Sequence, residues 1–366
     1  MRRWLAVMAM LLWSGSGLAE EPSCQPGDPT ARSVIGDLQR ITAPEGVQEA
    51  WAQPVNGSRQ WISVRGQDRT NPLLLVVHGG PAGPLTPTAW QYQRPLEEFF
   101  TVVNYDQRAA GRSYRLDPPA DDAPLRIQQY VDDLIDIAQL LRTRYHKDKV
   151  VLMAHSWGTV LALQAVMQRP DLFSAYVGIG QVIDMRANET LVYGYALEQA
   201  RAHGNSEAVA ALRALAPYPG DGAPTLERIG TVRRWSRAYG GLAAWREGAP
   251  FYVEGPRLSP EYDDADLCAF DAGGQFTITR VLDELMRVDF SGVHALRVPV
   301  LMLMGRHDHT TPPAPVEHWL AQLQAPGKRG VWFEHSGHLL PWEEPGRLLL
   351  TLVQDVRPLA MQAERP

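Results

Sequence analysis

Ser156 stands at the corner between two patterns. Before it runs Val150-Val151-Leu152-Met153-Ala154-His155, which predicts a short buried strand. After it, Trp157-Gly158-Thr159-Val160-Leu161-Ala162-Leu163 predicts a helix. Small residues two places before the serine (Ala154) and two after it (Gly158) suit a sharp strand-to-helix turn, because larger side chains there would strike neighbouring backbone. Such a turn lifts the hydroxyl above the sheet, at the positive end of the helix. A serine is a poor nucleophile at neutral pH. It needs a base within hydrogen-bond reach, and the base needs a group to fix its tautomer. The apolar run Val300 to Met304 is followed by Gly305-Arg306-His307-Asp308-His309-Thr310-Thr311-Pro312. The run Val331-Trp332-Phe333-Glu334 is followed by His335-Ser336-Gly337-His338. Asp308 and His338 therefore sit in strand-end loops, where an acid and a base belong. Asp308 also suits a helix cap before Thr310-Thr311-Pro312. His307, His309 and His335 compete with His338, and His335, nearest the strand end, reads as a structural hydrogen-bonder. Order and placement favour Ser156, Asp308 and His338 as a triad for acyl transfer.

A tetrahedral oxyanion needs two backbone N–H donors. Trp157, directly after the serine, supplies one. The loop His78-Gly79-Gly80-Pro81-Ala82-Gly83-Pro84, after the apolar run Leu73 to Val77, supplies the other, from Gly80 or else Gly79; the same loop also reads as a plain tight turn. A third loop, Asn104-Tyr105-Asp106-Gln107-Arg108-Ala109-Ala110-Gly111-Arg112-Ser113, carries charged groups and a glutamine. It predicts a segment buttressed by internal salt bridges, with Asp106 and Arg108 as scaffold. Zinc spacing and glycine-rich phosphate fingerprints do not occur, so neither metal nor cofactor is expected.

These loops need a frame. Continuous apolar runs at Leu73 to Val77, Phe99 to Asn104, Val150 to Met153, Ala175 to Ile179 and Val300 to Met304 predict strands buried on both faces. The alternating Trp61-Ile62-Ser63-Val64-Arg65 predicts a further strand. Ile127 to Tyr145 has helical periodicity. Strand–helix alternation predicts a doubly wound, mostly parallel sheet. The alternation lapses in 184–290, which contains helix formers such as Leu197 to His203 and Ser206 to Leu215. That segment predicts a helical cap inserted between core segments 20–183 and 291–366, with 20–45 an irregular arm.

The chain has 366 residues, 45% hydrophobic and 21% charged, enough for a large core. A net charge of −6 without a basic cluster argues against a nucleic-acid partner. Met1-Arg2-Arg3, the apolar run Trp4 to Trp13 and the small residues up to Ala19 form a secretory leader, 1–19. Its apolar run is too short to span a membrane, so export to the periplasm or medium without a stable anchor is expected. Cys24 and Cys268 are then left either paired or as separate thiols.

Over residues 58–356 the chain resembles the α/β-hydrolase fold and, within it, the proline iminopeptidase family of serine peptidases. The resemblance rests on His78-Gly79-Gly80-Pro81, on Asp106-Gln107-Arg108 with Gly111-Arg112-Ser113, on His155-Ser156-Trp157-Gly158, and on Asp308 with Ser336-Gly337-His338. It implies nucleophile Ser156, acid Asp308, base His338, oxyanion donors at Gly79-Gly80 and Trp157, and a small peptide or acyl substrate. Three glycines of the family pattern are replaced here by Ala82, Ala109 and Ala154. In the family, acidic cap residues hold the substrate's free amine; Glu189, Glu198 and Glu247 are the candidates in this chain. An esterase or other acyl hydrolase with the same triad is the alternative expectation.

Overall fold

A computed structural model describes residues 27–364. The predicted leader and Cys24 lie outside the described residues. Cys268 is disulfide-bonded. No helix among the described residues is long and apolar enough to cross a membrane.

Among the described residues eight strands form one sheet: β1 (Val47–Val55), β2 (Ser58–Gly66), β3 (Leu73–Val77), β4 (Thr101–Asp106), β5 (Val150–His155), β6 (Phe173–Ile179), β7 (Val300–Gly305) and β8 (Lys328–Phe333). Their order is β1-β2-β4-β3-β5-β6-β7-β8. The pairs β1/β2 and β2/β4 are antiparallel and the others are parallel. The unbroken apolar runs have a direct cause. In β3, Leu73, Leu75 and Val77 enter one core cluster while Leu74 and Val76 enter the other. In β5, Val150, Leu152 and Ala154 oppose Val151 and Met153 in the same way. Helices Ile127–Tyr145 and Trp157–Gln168 cover the first face. Leu340, Leu348, Leu352 and Val356, from the C-terminal helical segment, cover the second.

Two elements depart from the sequence reading. The arm contains the helix Pro29–Gln39, capped by the Asp28 side chain on the amides of Thr30 and Ala31. Strand β1 precedes the predicted β2, joined to it through Asn56 and Gly57, whose φ values of 45° and 75° suit a two-residue hairpin turn.

Between β6 and β7 the chain leaves the sheet. It departs and returns at one place: Asp184 bridges Asp289, Met185 N–H donates to the Val288 carbonyl at 3.0 Å, and Phe290 N–H donates to that of Ile183 at 2.7 Å. Helices Met185–Ala202, Ser206–Arg213 and Leu226–Ala238 carry a small core of their own around Val192, Ala196, Leu212, Val232 and Trp235. The last helix of this segment, Asp264–Leu285, instead joins the main core through Ile278, Val281 and Leu285.

The functional consequence of the topology lies at β3, where strand order reverses. Chain order sends β4 to one side of β3 and β5 to the other, so the loops after β3 and β5 share the crevice at the carboxyl ends. There the first turn of helix Trp157–Gln168 crosses the end of β3. A Cβ on Gly158 would lie 2.6 Å from the His78 carbonyl oxygen and closer still to that of Val77. Both obstacles are backbone and cannot swing aside. We predict that Gly158→Ala loses about 1–3 kcal/mol of stability, read from urea unfolding; an unchanged midpoint would show that the helix can shift without cost.

Candidate active site

Ser156 occupies the turn between β5 and helix Trp157–Gln168 with φ 55° and ψ −123°, a conformation that L-residues rarely hold. Three bonds fix it. Its N–H donates to the Ile179 carbonyl at 2.9 Å, and its carbonyl accepts from Thr159 N–H at 2.8 Å and from Thr159 Oγ1 at 2.6 Å. The strain is thus held by β6 on one side and by the helix's first turn on the other.

Asp308 follows β7 and His338 follows β8. His338 Nδ1 lies 2.9 Å from Asp308 Oδ2. The other carboxylate oxygen accepts from the amides of Thr310 and Thr311, each at 2.8 Å, and Thr311 Oγ1 donates to Oδ2 at 2.8 Å. Asp308 therefore caps its own turn and orients the histidine at once. Burial by itself would raise its pKa. The adjacent His338 and the donors of Thr311 outweigh burial and hold the carboxyl below its ordinary value. Beside the pair, Gly180 after β6 has φ 57°, and a Cβ there would lie 2.8 Å from His338 Cε1. Nothing in the spacing of the chemical residues marked Gly180; its place directly after a buried strand was the available signal.

His338 is tied to the serine turn through His155, the residue before Ser156. His155 Nε2 donates to the His338 carbonyl at 2.9 Å and the two rings lie 4.6 Å apart. Burial, then the neighbouring His338, lowers the His155 pKa to about 3, so the ring stays neutral. The Ser156 hydroxyl makes no hydrogen bond to His338 among the described residues. His335 is exposed, with its ring 5.8 Å from that of Trp245, and only its backbone N–H is anchored, to Glu344 at 3.0 Å. His307 packs on Trp245 at 4.6 Å and His309 stacks on Tyr195 at 3.6 Å. Of the four histidines in these loops, His338 alone meets the Asp308 carboxylate.

The loop after β3 lies over the serine turn. A Cβ on Gly79 would stand 3.2 Å from that of Ser156. His78 is buried, and burial lowers its pKa to about 4. Its Nε2 accepts from Gln107 N–H at 3.0 Å, so Nδ1 carries the proton and donates to the Gly79 carbonyl at 2.8 Å. The amides of Gly80 and Trp157 have no acceptor among the described residues. Ala82 has φ 55° and Ala109 has φ 56°, so two of the alanines that replace family glycines keep a left-handed backbone. For alanine that conformation costs about 1–2 kcal/mol.

The loop after β4 is braced from outside, not by the internal salt bridges expected. Arg108 makes a two-pronged pair with Asp133 on helix Ile127–Tyr145, Nε to Oδ2 at 2.7 Å and Nη2 to Oδ1 at 2.8 Å. Arg112 pairs with Asp266, on helix Asp264–Leu285. Asp106 pairs with no arginine side chain. It accepts from Thr86 Oγ1 at 2.9 Å, Arg112 N–H at 2.9 Å and the Tyr262 hydroxyl. Burial outweighs these donors and raises its pKa to about 7.

The acidic candidates of the inserted segment have different surroundings. Glu189 is fully buried and bonded to Arg233 and the Tyr218 hydroxyl. Glu198 and Glu247 are exposed. Among the described residues no group of three or more His, Cys, Asp or Glu could hold a metal ion.

A mostly parallel sheet of this order, with a strained serine after β5 and an Asp–His pair after β7 and β8, defines an α/β-hydrolase. The chain belongs to the alpha/beta hydrolase family, whose model matches residues 74–350. It is 31% identical over 306 residues to a probable aminopeptidase, YbaC, of Bacillus subtilis (strain 168), covering 83% of this chain and 94% of that one. A shorter match, 34% over 102 residues, covers 27% of this chain and 31% of a proline iminopeptidase from Heyndrickxia coagulans. Among solved structures, a proline iminopeptidase from Mycobacterium smegmatis shares the fold with a TM-score of 0.61 at 18% identity, covering 86% of this chain and all of that one. The protein is a hydrolase.

The raised Asp106 carboxyl has a stability consequence. The folded chain keeps a proton on Asp106 that the unfolded chain releases above its ordinary value of 3.8, so this group's contribution falls as pH rises from about 4 to about 7. Asp106→Asn removes that slope. Between pH 5 and pH 7 the variant should lose about 2 kcal/mol less than the wild type in urea unfolding; parallel pH profiles would contradict the assignment.

Proposed function

We propose that this hydrolase uses Ser156 as nucleophile, His338 as general base and Asp308 as the group that orients and stabilises the imidazolium. The observation that carries this reading is the 2.9 Å contact of His338 Nδ1 with the buried Asp308, joined through His155 to the strained turn at Ser156. As Ser156 Oγ bonds to the substrate carbonyl carbon, its proton passes to His338 Nε2. The carbonyl oxygen becomes an oxyanion facing the amides of Trp157 and Gly80. Collapse breaks the bond to the leaving group, which takes the proton from His338. Water then attacks the acyl-enzyme by the same route and restores the Ser156 hydroxyl.

We further propose an exported aminopeptidase of proline iminopeptidase type, acting on small peptides. In support stand the likeness to the probable aminopeptidase over nearly its whole length and the leader pattern at 1–19. One observation favours a second reading, an esterase or related acyl hydrolase. Glu189 is already bonded to Arg233 and Tyr218, which reduces the charge it can offer a substrate ammonium.

Ser156→Ala should lower turnover at least 10⁴-fold on the order-of-magnitude scale of serine-triad deletions, with unfolding unchanged. Retained turnover in this variant would refute the serine mechanism. Measured side by side on the wild type, L-proline β-naphthylamide should be cleaved with a higher kcat/KM than 4-nitrophenyl butyrate; the reverse ranking selects the esterase. Mass spectrometry of the protein recovered outside the inner membrane should give Glu20 as the first residue, and an intact leader on that material would refute export by cleavage.

A further inference from the structure

The two oxyanion donors come from different loops, and one side chain spans them. Gln107 directly follows β4, the neighbour of β3. Its backbone N–H donates to His78 Nε2 at 3.0 Å and its side-chain Nε2 donates to the His78 carbonyl at 2.9 Å. Its Oε1 accepts from the indole Nε1 of Trp157 at 3.0 Å. His78 precedes Gly79-Gly80, and Trp157 carries the other donor amide. All three residues are buried, at 2% exposure or less, so water does not compete for these bonds.

From this geometry we infer that Gln107 is a positioning residue for the oxyanion hole, an inference that rests on the serine-hydrolase reading above. It makes no hydrogen bond to Ser156 or His338 among the described residues. Its amide has the chemistry the task demands: a donor is needed toward the His78 carbonyl and an acceptor toward the indole, and one planar amide offers both at a fixed separation. The two loops arrive from β3 and β5 with no other side-chain hydrogen bond between His78 and Trp157 among the described residues. Donor placement within about 0.5 Å decides how much transition-state charge such a site stabilises. A brace of this kind therefore acts on kcat more than on ground-state binding.

The test compares Gln107→Leu, Trp157→Phe and the double variant. Trp157→Phe keeps the backbone amide of the oxyanion hole and removes only the indole N–H. Turnover is measured on both L-proline β-naphthylamide and 4-nitrophenyl butyrate, and inhibition with phenylboronic acid, whose tetrahedral serine adduct places an oxygen where the oxyanion forms. Gln107→Leu should lower kcat about 10²-fold, the scale for losing one oxyanion donor, with KM within about twofold. The boronate inhibition constant should weaken in parallel. Because both substitutions break the same bond, their losses should fall short of additivity in the double variant. If Gln107→Leu does not fold, Trp157→Phe reads the same bond from its other end. A folded variant with wild-type kcat and boronate affinity, a loss confined to KM, or fully additive losses would each overturn the inference. Ser156→Ala separates this from the underlying reading: an inactive Ser156→Ala beside a fully active Gln107→Leu refutes the brace alone.

Discussion

The first turn of helix Trp157–Gln168 lies against the end of β3 with no room for a side chain at Gly158, and most of the site follows from that approach. It needs parallel pairing of β3 with β5, which sets Val77 opposite Ala154 and delivers both loops to one edge. It needs a turn tight enough to hold Ser156 outside ordinary backbone space, which the bonds to Ile179 and Thr159 maintain. It also places the loop of Gly79 over the serine. The geometry of the serine turn and that of the Gly79-Gly80 loop are thus one packing problem, solved by small residues and backbone contacts.

Two buried aspartates show how surroundings divide similar groups. Asp308 is held below its ordinary pKa because His338 and a set of N–H and O–H donors outweigh burial. Asp106 also accepts three hydrogen bonds, yet burial wins and its pKa rises to about 7. Next to burial the largest influence on Asp308 is the ionisable ring at 2.9 Å, while on Asp106 it is the Tyr262 and Thr86 hydroxyls, with the charge of Arg112 a smaller one.

The inserted segment is not a separate lid. Its ends are pinned at Asp184 and Asp289, and its last helix belongs to the main core. It also reaches His338: the Leu242 carbonyl accepts from His338 N–H at 2.9 Å, and Glu343 accepts from the amides of both Gly337 and Ala244, at 2.8 and 2.7 Å. The inserted segment therefore also helps hold the histidine loop.

How much was legible in the sequence depended on burial. Strands covered on both faces showed as unbroken apolar runs, and helix Ile127–Tyr145 as a clear stripe. Helix Pro29–Gln39 was missed although Ala31, Val34, Ile35 and Leu38 stand at helical spacing and Asp28 precedes Pro29; that face stays largely outside the core, with Val34 and Leu38 65% and 75% exposed. Strand β1, at the sheet edge, was signalled only by Asn56-Gly57. By itself the sequence determined the chemical groups, their order and the small residues of the serine turn, because these depend on residue type and local spacing. Tertiary structure decided between His338, which order already favoured, and its neighbours as the partner of Asp308, and alone decided where the charge of Glu189 goes and which side chain joins the loops after β3 and β5. Those outcomes depend on contacts such as Trp157 with Gln107 and His155 with His338, 50 and 183 residues apart, which only the folded sheet brings within hydrogen-bond range.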